Sequence, residues 1–223
     1  MSDRAVAERG ADVLEPQADA VEARVLAAVR DSVIAVGLRR TTATDIARRA
    51  GVSRMTLYRR WPDVRTLVTA ALTREFEQTL IRVAETAHGD SGRARLVDAS
   101  ERAVLALADD PLVRALRERD PEVLLPYLVE RSGRSQLAVR RVIATLLAAG
   151  AADGSIRPLD SGDQAAATWL LQLTAQSLVV SAAVVDRETD LRAVVGQLRL
   201  LVDSYLRSSP APPSPGQEAR DDQ

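Results

Sequence analysis

Residues 41–61 read TTATDIARRAGVSRMTLYRRW, and this stretch decides the fold. The spacing predicts two short helices joined by a tight turn. Thr42 or Thr44 is placed to cap the first helix, and Asp45 falls in its first turn, where a negative charge suits the helix dipole. Ile46, Ala47 and Ala50 give that helix an apolar inner face. Gly51 follows, a small residue able to take positive φ, as a turn that folds one helix across another requires. Val52 plugs the turn, Ser53 caps the second helix, and Leu57 faces back toward Ile46. Arg54, Met55, Thr56, Tyr58, Arg59 and Arg60 are left facing outward. Such a pair offers the N-terminal part of its second helix to the major groove of DNA. Arginine beside tyrosine and threonine suits phosphate and base-edge contacts.

The charge is local to this region. Between Val21 and Leu67 there are 10 Arg against 4 Asp or Glu, a surplus of +6 in a chain whose total is −1. Motif and charge together point to nucleic acid; the plainer alternative is a solvated face of an arginine-rich protein. Residues 37–67, GLRRTTATDIARRAGVSRMTLYRRWPDVRTL, resemble the N-terminal domain of TetR-type one-component transcriptional repressors. Gly37, Thr42, Asp45-Ile46-Ala47, Ala50-Gly51-Val52-Ser53, Thr56-Leu57-Tyr58, Trp61 and Leu67 stand at the family spacing, and the likeness covers about the first 70 residues. The resemblance implies an all-α homodimer that binds a palindromic operator in double-stranded DNA and releases it on binding a small molecule. Under that reading Thr42, Thr44, Ser53, Tyr58 and Arg59 hold phosphates, while Arg54, Met55, Thr56 and Arg60 approach base edges. The family usually carries a lysine just inside its fourth helix, touching a phosphate. Val64 stands there in this chain, and Arg65 beside it is the candidate for that contact.

The 223 residues allow one large or two small domains with enough core to fold without staples. There is no Cys, which excludes a disulfide framework, a thiolate zinc site and a cysteine nucleophile. All 30 basic residues are Arg, and aromatics make up only 3%. The abundance of Ala, Leu, Arg and Glu favours helix, and no alternating β-branched run suggests a strand. The opening MSDRAVAERGADVLEP carries acids and no apolar segment, unlike a signal peptide. A cytoplasmic protein is the expectation.

The expected organisation is a disordered tail over 1–19, a three-helix DNA-binding domain over 20–66, a larger helical effector-binding and dimerisation domain over 67–207, and a disordered tail over 208–223. The first helix is expected over roughly Ala20 to Val36, with Val21, Val25, Val29 and Val33 recurring every four residues and Gly37 ending it. Pro62 opens a long helix to about Ala87, striped by Val68, Leu72, Phe76 and Leu80. Further helices are expected over 93–108, 111–118, 121–130, 135–149, 162–185 and 189–206, with Ser132-Gly133 as a break. The last 16 residues are rich in Pro and Ser.

Gln164 to Val185 contains no charged residue over 22 positions, a length able to span a bilayer. Its Gln164, Thr168, Gln172, Thr174, Gln176, Ser177 and Ser181 are costly in hydrocarbon and argue against a membrane. A soluble helix apolar nearly all round is covered on both sides. The final helix adds a stripe at Leu191, Val194, Val195, Leu198, Leu201, Val202 and Tyr205. Pairing both helices with the same two from a second copy gives an isologous, two-fold homodimer.

His88, the single histidine, lies beside Gly89, so neither a Ser-His-Asp triad nor a histidine-rich metal site can be assembled. No glycine-rich phosphate loop of Walker or Rossmann spacing is present. An enzyme reading therefore lacks a nucleophile, a base and a cofactor motif, and no cofactor or metal is expected. An effector pocket belongs inside the helical body. Its candidate walls are Phe76, Leu80, Leu105, Leu112, Leu116, Leu124, Tyr127, Leu128, Ile143, Leu147, Trp169 and Leu173, with Gln172 and Gln176 as polar contacts. Each apolar stripe has a plain reading as core. So few polar groups favour a lipophilic effector such as an acyl chain or a flat hydrophobic drug. Three alternatives stay open: a helical ligand-binding protein that has lost DNA binding, a helical enzyme acting in the body pocket, and an activator of the same fold.

Overall fold

The structure is a computed structural model that describes the backbone of residues 4–129 and 134–207 and, from Asp19 onward, most of their side chains. Ten α-helices and one 3-10 turn make up the regular structure of the described residues. They are α1 (Arg4–Val36), the turn Leu38–Arg40, α2 (Ala43–Ala50), α3 (Arg54–Arg60), α4 (Val64–Glu85), α5 (Gly92–Asp109), α6 (Pro111–Arg119), α7 (Pro121–Val129), α8 (Arg134–Ala152), α9 (Ser161–Glu188) and α10 (Leu191–Leu206). The one β-type pairing among them is a bridge between Ile156 and Arg207. The all-α reading holds.

Several boundaries differ from the sequence reading: α4 starts at Val64, capped by Asp63 rather than opened by Pro62, α9 runs on to Glu188, and α1 and α8 also extend further. α1 starts at Arg4, so it takes in most of the segment expected to be a tail. Ala, Glu and Arg in residues 4–15 carry intrinsic helix propensity, which local composition offered and the loose-tail reading discounted. α8 runs on to Ala152, since Ala151 and Ala152 extend a helix past Gly150 readily. The Ser132-Gly133 break and the C-terminal tail lie outside the described residues.

The cores follow from the four-residue stripes. Val25, Val29 and Val33 of α1 are fully buried, and α1 packs on α2, α4 and α6. α4 buries Leu67, Val68, Leu72 and Phe76, joining the N-terminal unit to the body. α5 is the hub of the body, lying against α4, α6, α8, α9 and α10. At its first residue, Gly92, a Cβ would overlap the backbone of Gly150 in α8, so close approach rather than φ requires glycine there, and a Cβ at Gly150 would in turn run into the Ile156 side chain. Gly92 N–H donates to Asp153 Oδ2 (2.6 Å), which closes that end of the helix. Ser155 also bonds Asp153, and these donors hold its carboxyl down to about 2. α10 buries Leu191, Val195, Leu198, Val202 and Leu206 within the chain, so much of the stripe expected to wait for a second copy is already covered by α5.

Candidate DNA interface and effector cavity

The helix-turn-helix forms through four local devices. Thr42 is the N-cap of α2: its Oγ1 accepts from Asp45 N–H (3.2 Å) and donates to Asp45 Oδ2 (2.8 Å). Thr44, the other capping candidate, lies one residue inside the helix and is exposed. The Thr42 hydroxyl and then Arg48 hold the Asp45 carboxyl below the usual carboxylate range. Gly51 adopts φ 66°, ψ 38°, the left-handed geometry that ends α2, and Val52 N–H then donates to Ala47 O (3.0 Å). A Cβ at Gly51 would meet nothing within 4 Å, so backbone conformation alone selects glycine. Ser53 caps α3, its Oγ accepting from Thr56 N–H (3.0 Å). Ile46 and Leu57 meet in the core at 0% exposure, and Trp61 closes it.

What remains outside α3 is the candidate interface. Leu57 is the one buried residue of its seven. Met55 is 80% exposed, and Arg54, Tyr58, Arg59 and Arg60 are exposed beside it, with Thr56 half-buried. The Arg54 guanidinium lies 5.8 Å from the Tyr58 ring centroid, so these two residues present one cationic, aromatic ridge. Arg60 differs from the expectation that it is free to reach base edges. It forms an ion pair with Glu22 of α1 and lies 5.4 Å from the Trp61 ring centroid, which places it at the rear of α3. Two helical turns beyond Ser53, it has left the N-terminal end that enters a groove.

At the start of α4, Asp63 is the N-cap, accepting from Thr66 N–H (2.7 Å). That bond holds its carboxyl below the usual range. Val64 turns inward and packs against the core, which explains an apolar residue there, while Arg65 is exposed.

A polar clasp ties this unit to the body. Asp120, at the α6–α7 corner, is 1% exposed, and its Oδ2 accepts from Leu38 N–H (2.9 Å). Arg119 donates to Ile34 O (3.1 Å), and Arg39 pairs with Glu122 (3.2 Å). Gly37 at φ 80° starts the 3-10 turn that delivers Leu38 to the carboxylate. Sequence reading missed Asp120, which looks like a plain capping residue; only its partner 82 positions away reveals it. A second junction joins α1 to α4 and α6: Arg30 lies 3.0 Å from Glu75 and 3.8 Å from Asp110. Burial pushes the Glu75 carboxyl up despite that arginine.

The body encloses an apolar cavity of about 60 Å³ between α4, α5, α7, α8 and α9. The structure brings five of the expected wall residues around it: Phe76, Leu80, Tyr127, Gln172 and Gln176. Phe76 and Tyr127 meet edge to face at 5.7 Å, and the Tyr127 hydroxyl donates to Thr73 Oγ1 of α4 (3.1 Å). Leu112, Leu116, Leu124, Ile143 and Leu147 are buried in the core away from the cavity, and Leu105 packs on that core half-buried. Trp169 (45% exposed) and Leu173 (51% exposed) face outward, a correction to the expected walls. They sit three residues before Gln172 and one after it, and about 100° of turn per residue carries Leu173 off the cavity side. The side chain of Leu128 lies outside the described residues. Ala103, Val104, Leu107, Gln136, Val139, Ala175 and Val179 complete the wall and were missed. Their i, i+3 and i+4 spacing on α5 and α9 carried the signal, but nothing local says which stripe meets the cavity.

Trp169 and Leu173 belong to a bare apolar surface. Leu170, Leu173, Ser177 and Val184 fall within an arc of about 60° on α9, and Leu200 and Leu201 are exposed on α10. α9 is also the one helix among the described residues long and apolar enough to cross a membrane.

A helical domain whose capped, left-handed turn presents an arginine-bearing helix, joined to a larger helical body, has the architecture of a helix-turn-helix DNA-binding regulator. Comparison with known proteins gives the family. Residues 25–71 match the family described as bacterial regulatory proteins, tetR family. The chain is 34% identical over 187 residues to an uncharacterised HTH-type transcriptional regulator of Mycobacterium tuberculosis (strain H37Rv), covering 82% of this chain and 93% of that one. The chain belongs to the TetR family of helix-turn-helix transcriptional regulators. Among solved structures it resembles the repressor AlkX from Dietzia sp., implicated in biodegradation of n-alkanes (TM-score 0.62, 20% identity, 82% of this chain and 94% of that one). It also resembles the regulator FadR from Bacillus subtilis, solved with stearoyl-CoA (TM-score 0.59, 18% identity, 82% of this chain and 98% of that one). At those identities the two structures share the fold with this chain.

Proposed function

We propose that this regulator is a cytoplasmic homodimeric repressor that leaves a palindromic operator when a small lipophilic effector enters the body cavity. The observation that carries the reading is the outer face of α3: one residue in seven is buried, and Arg54, Met55, Tyr58 and Arg59 are free for a groove. In this assignment Thr42, Thr44, Ser53, Tyr58, Arg59 and Arg65 hold phosphates, and Arg54, Met55 and Thr56 read bases. The bare faces of α9 and α10 are covered by the same faces of a second copy. A bilayer is the poorer occupant, because α9 packs along α5 and α8 and would have to leave the body to insert. A two-fold dimer sets its two recognition helices about one DNA turn apart, ~34–36 Å, or somewhat more.

Release needs the effector to favour one of two arrangements. Tyr127 lies in the cavity wall and bonds Thr73 of α4, and only three residues separate the end of α3 from the start of α4. A ligand that widens the cavity pushes on this pair, while the Asp120 clasp sets how far the N-terminal unit follows. The n-alkane and stearoyl-CoA contexts of two similarly folded regulators agree with an apolar effector.

The test is binding of the purified protein to its own upstream DNA and to an unrelated fragment, across a salt series. Tight, fragment-selective binding that weakens steeply with salt is expected. Equal, weak binding to both fragments favours the alternative reading, a ligand-binding protein that has given up DNA.

A further inference from the structure

The cavity is lined mainly by apolar groups, Phe76, Leu80, Val104 and Leu107 on α4 and α5 and Ala175 and Val179 on α9, with Gln172 and Gln176 of α9 and Gln136 of α8 as amides at its wall. Behind Gln172 stands Arg140 of α8. Its Nη1 donates to Gln172 Oε1 (3.1 Å), and its guanidinium lies 4.4 Å from the Trp169 ring centroid. Some arginines of the body have carboxylates, as Arg93 with Asp203, Arg102 with Asp98 and Arg199 with Glu101, while others, such as Arg82, Arg95, Arg117 and Arg157, bond hydroxyl or backbone oxygens instead. Arg140 has no ion pair among the described residues, although it is half-buried. A half-buried guanidinium held by a neutral amide and a ring face keeps donors for an anion, and its planar fork fits a carboxylate.

We infer that the effector is an aliphatic carboxylate, its chain lying in the cavity and its carboxylate taken by Arg140 at the α8–α9 edge. This rests on the cavity being the effector site. Gln172 ties Arg140 to the cavity wall: it accepts from one guanidinium nitrogen, and the donors that remain take the carboxylate. Trp169 holds the guanidinium plane in register from the outer side. A chain seated between α4 and α9 acts on DNA binding only by favouring one of two arrangements of the N-terminal unit.

The experiment uses the full-length protein and three probes of equal chain length: decanoate, decanol and decanoyl-CoA. Binding is read by calorimetry and release by anisotropy of labelled operator. Wild type is expected to bind decanoate at least about tenfold more tightly than decanol, as a charge-assisted hydrogen bond implies. Arg140→Gln is expected to lose about 10- to 100-fold for decanoate and little for decanol, while keeping its melting temperature and dimer mass. Val179→Trp, which fills the cavity, is expected to abolish binding of both. Decanol binding as tightly as decanoate, with Val179→Trp still blocking both, overturns the carboxylate and leaves the cavity reading standing. Binding unaffected by Val179→Trp overturns the cavity reading itself. Preference for decanoyl-CoA that survives Arg140→Gln overturns the role of Arg140, since a thioester has no terminal carboxylate to offer. No binding of any probe overturns the chain class as well.

Discussion

Two surfaces of this molecule are incomplete in one chain, and they are incomplete in opposite ways. The outside of α3 is polar and cationic around one buried leucine, and the unit beneath it is finished: caps, turn and core are all satisfied locally. The outside of α9 and α10 is apolar, with Leu170, Leu173, Val184, Leu200 and Leu201 in water, while the inner faces of the same helices are well packed. The first surface waits for a polyanion and loses little by waiting, since arginine is well solvated. The second pays a solvation penalty whenever it is bare. A fold can therefore keep its DNA-reading face empty for long periods, but the α9–α10 face should be occupied at all times.

That contrast can be broken most sharply at the apolar face. Leu173→Glu with Leu201→Glu should yield monomers by sedimentation and cut operator affinity by at least about 100-fold, because two half-sites no longer bind as one. A dimer that survives both charges would show that the pairing face lies elsewhere. Next in size is the unit beneath α3: Ile46→Ala should cost about 2–5 kcal/mol of stability in denaturant melts, through a cavity with no room to collapse. On the reading face itself, Arg54→Ala should cost about 1–3 kcal/mol on the operator and much less on random DNA. Equal losses on every sequence would make Arg54 a phosphate contact. Gly51→Ala should cost about 1 kcal/mol, all of it conformational, since the space for a methyl is open.

The smallest effect is electrostatic and sits far from both surfaces. Asp153 has a folded pKa of about 2, below the ordinary 3.8, because Ser155 and the Gly92 N–H bond its charged form. The sign follows: its contribution is full above the ordinary value and is lost as pH falls through that value toward about 2. Asp153→Asn should flatten the acid limb of the stability curve in that window, measured by urea midpoints. An unchanged limb would mean that other carboxylates govern acid unfolding.

The N-terminal unit was legible because its information is local. Thr42, Gly51 and Ser53 each act on partners within five residues, so their spacing alone predicts the turn. Even there Arg60 escaped, because its partner Glu22 is 38 residues away. The body was half legible. Four-residue stripes gave the helices, but a stripe does not say whether it faces core, cavity or a second copy. Gln172 lines the cavity and Leu173 does not, a distinction of one residue that only the packing of α9 decides. Asp120 was invisible for the same reason: a carboxylate after a helix reads as a cap until the backbone N–H of Leu38 is found against it.

The economy of α3 has an evolutionary consequence. Leu57 alone anchors that helix in the core, and Ser53 sets its start. Substitutions at Arg54, Met55, Tyr58 and Arg59 touch nothing the fold depends on, and exposed changes of that kind usually stay within about 0.5 kcal/mol. On the assignment proposed above, a lineage can thus retarget such a protein to new promoters by drift at Arg54 and Met55, with no compensating change elsewhere in the chain.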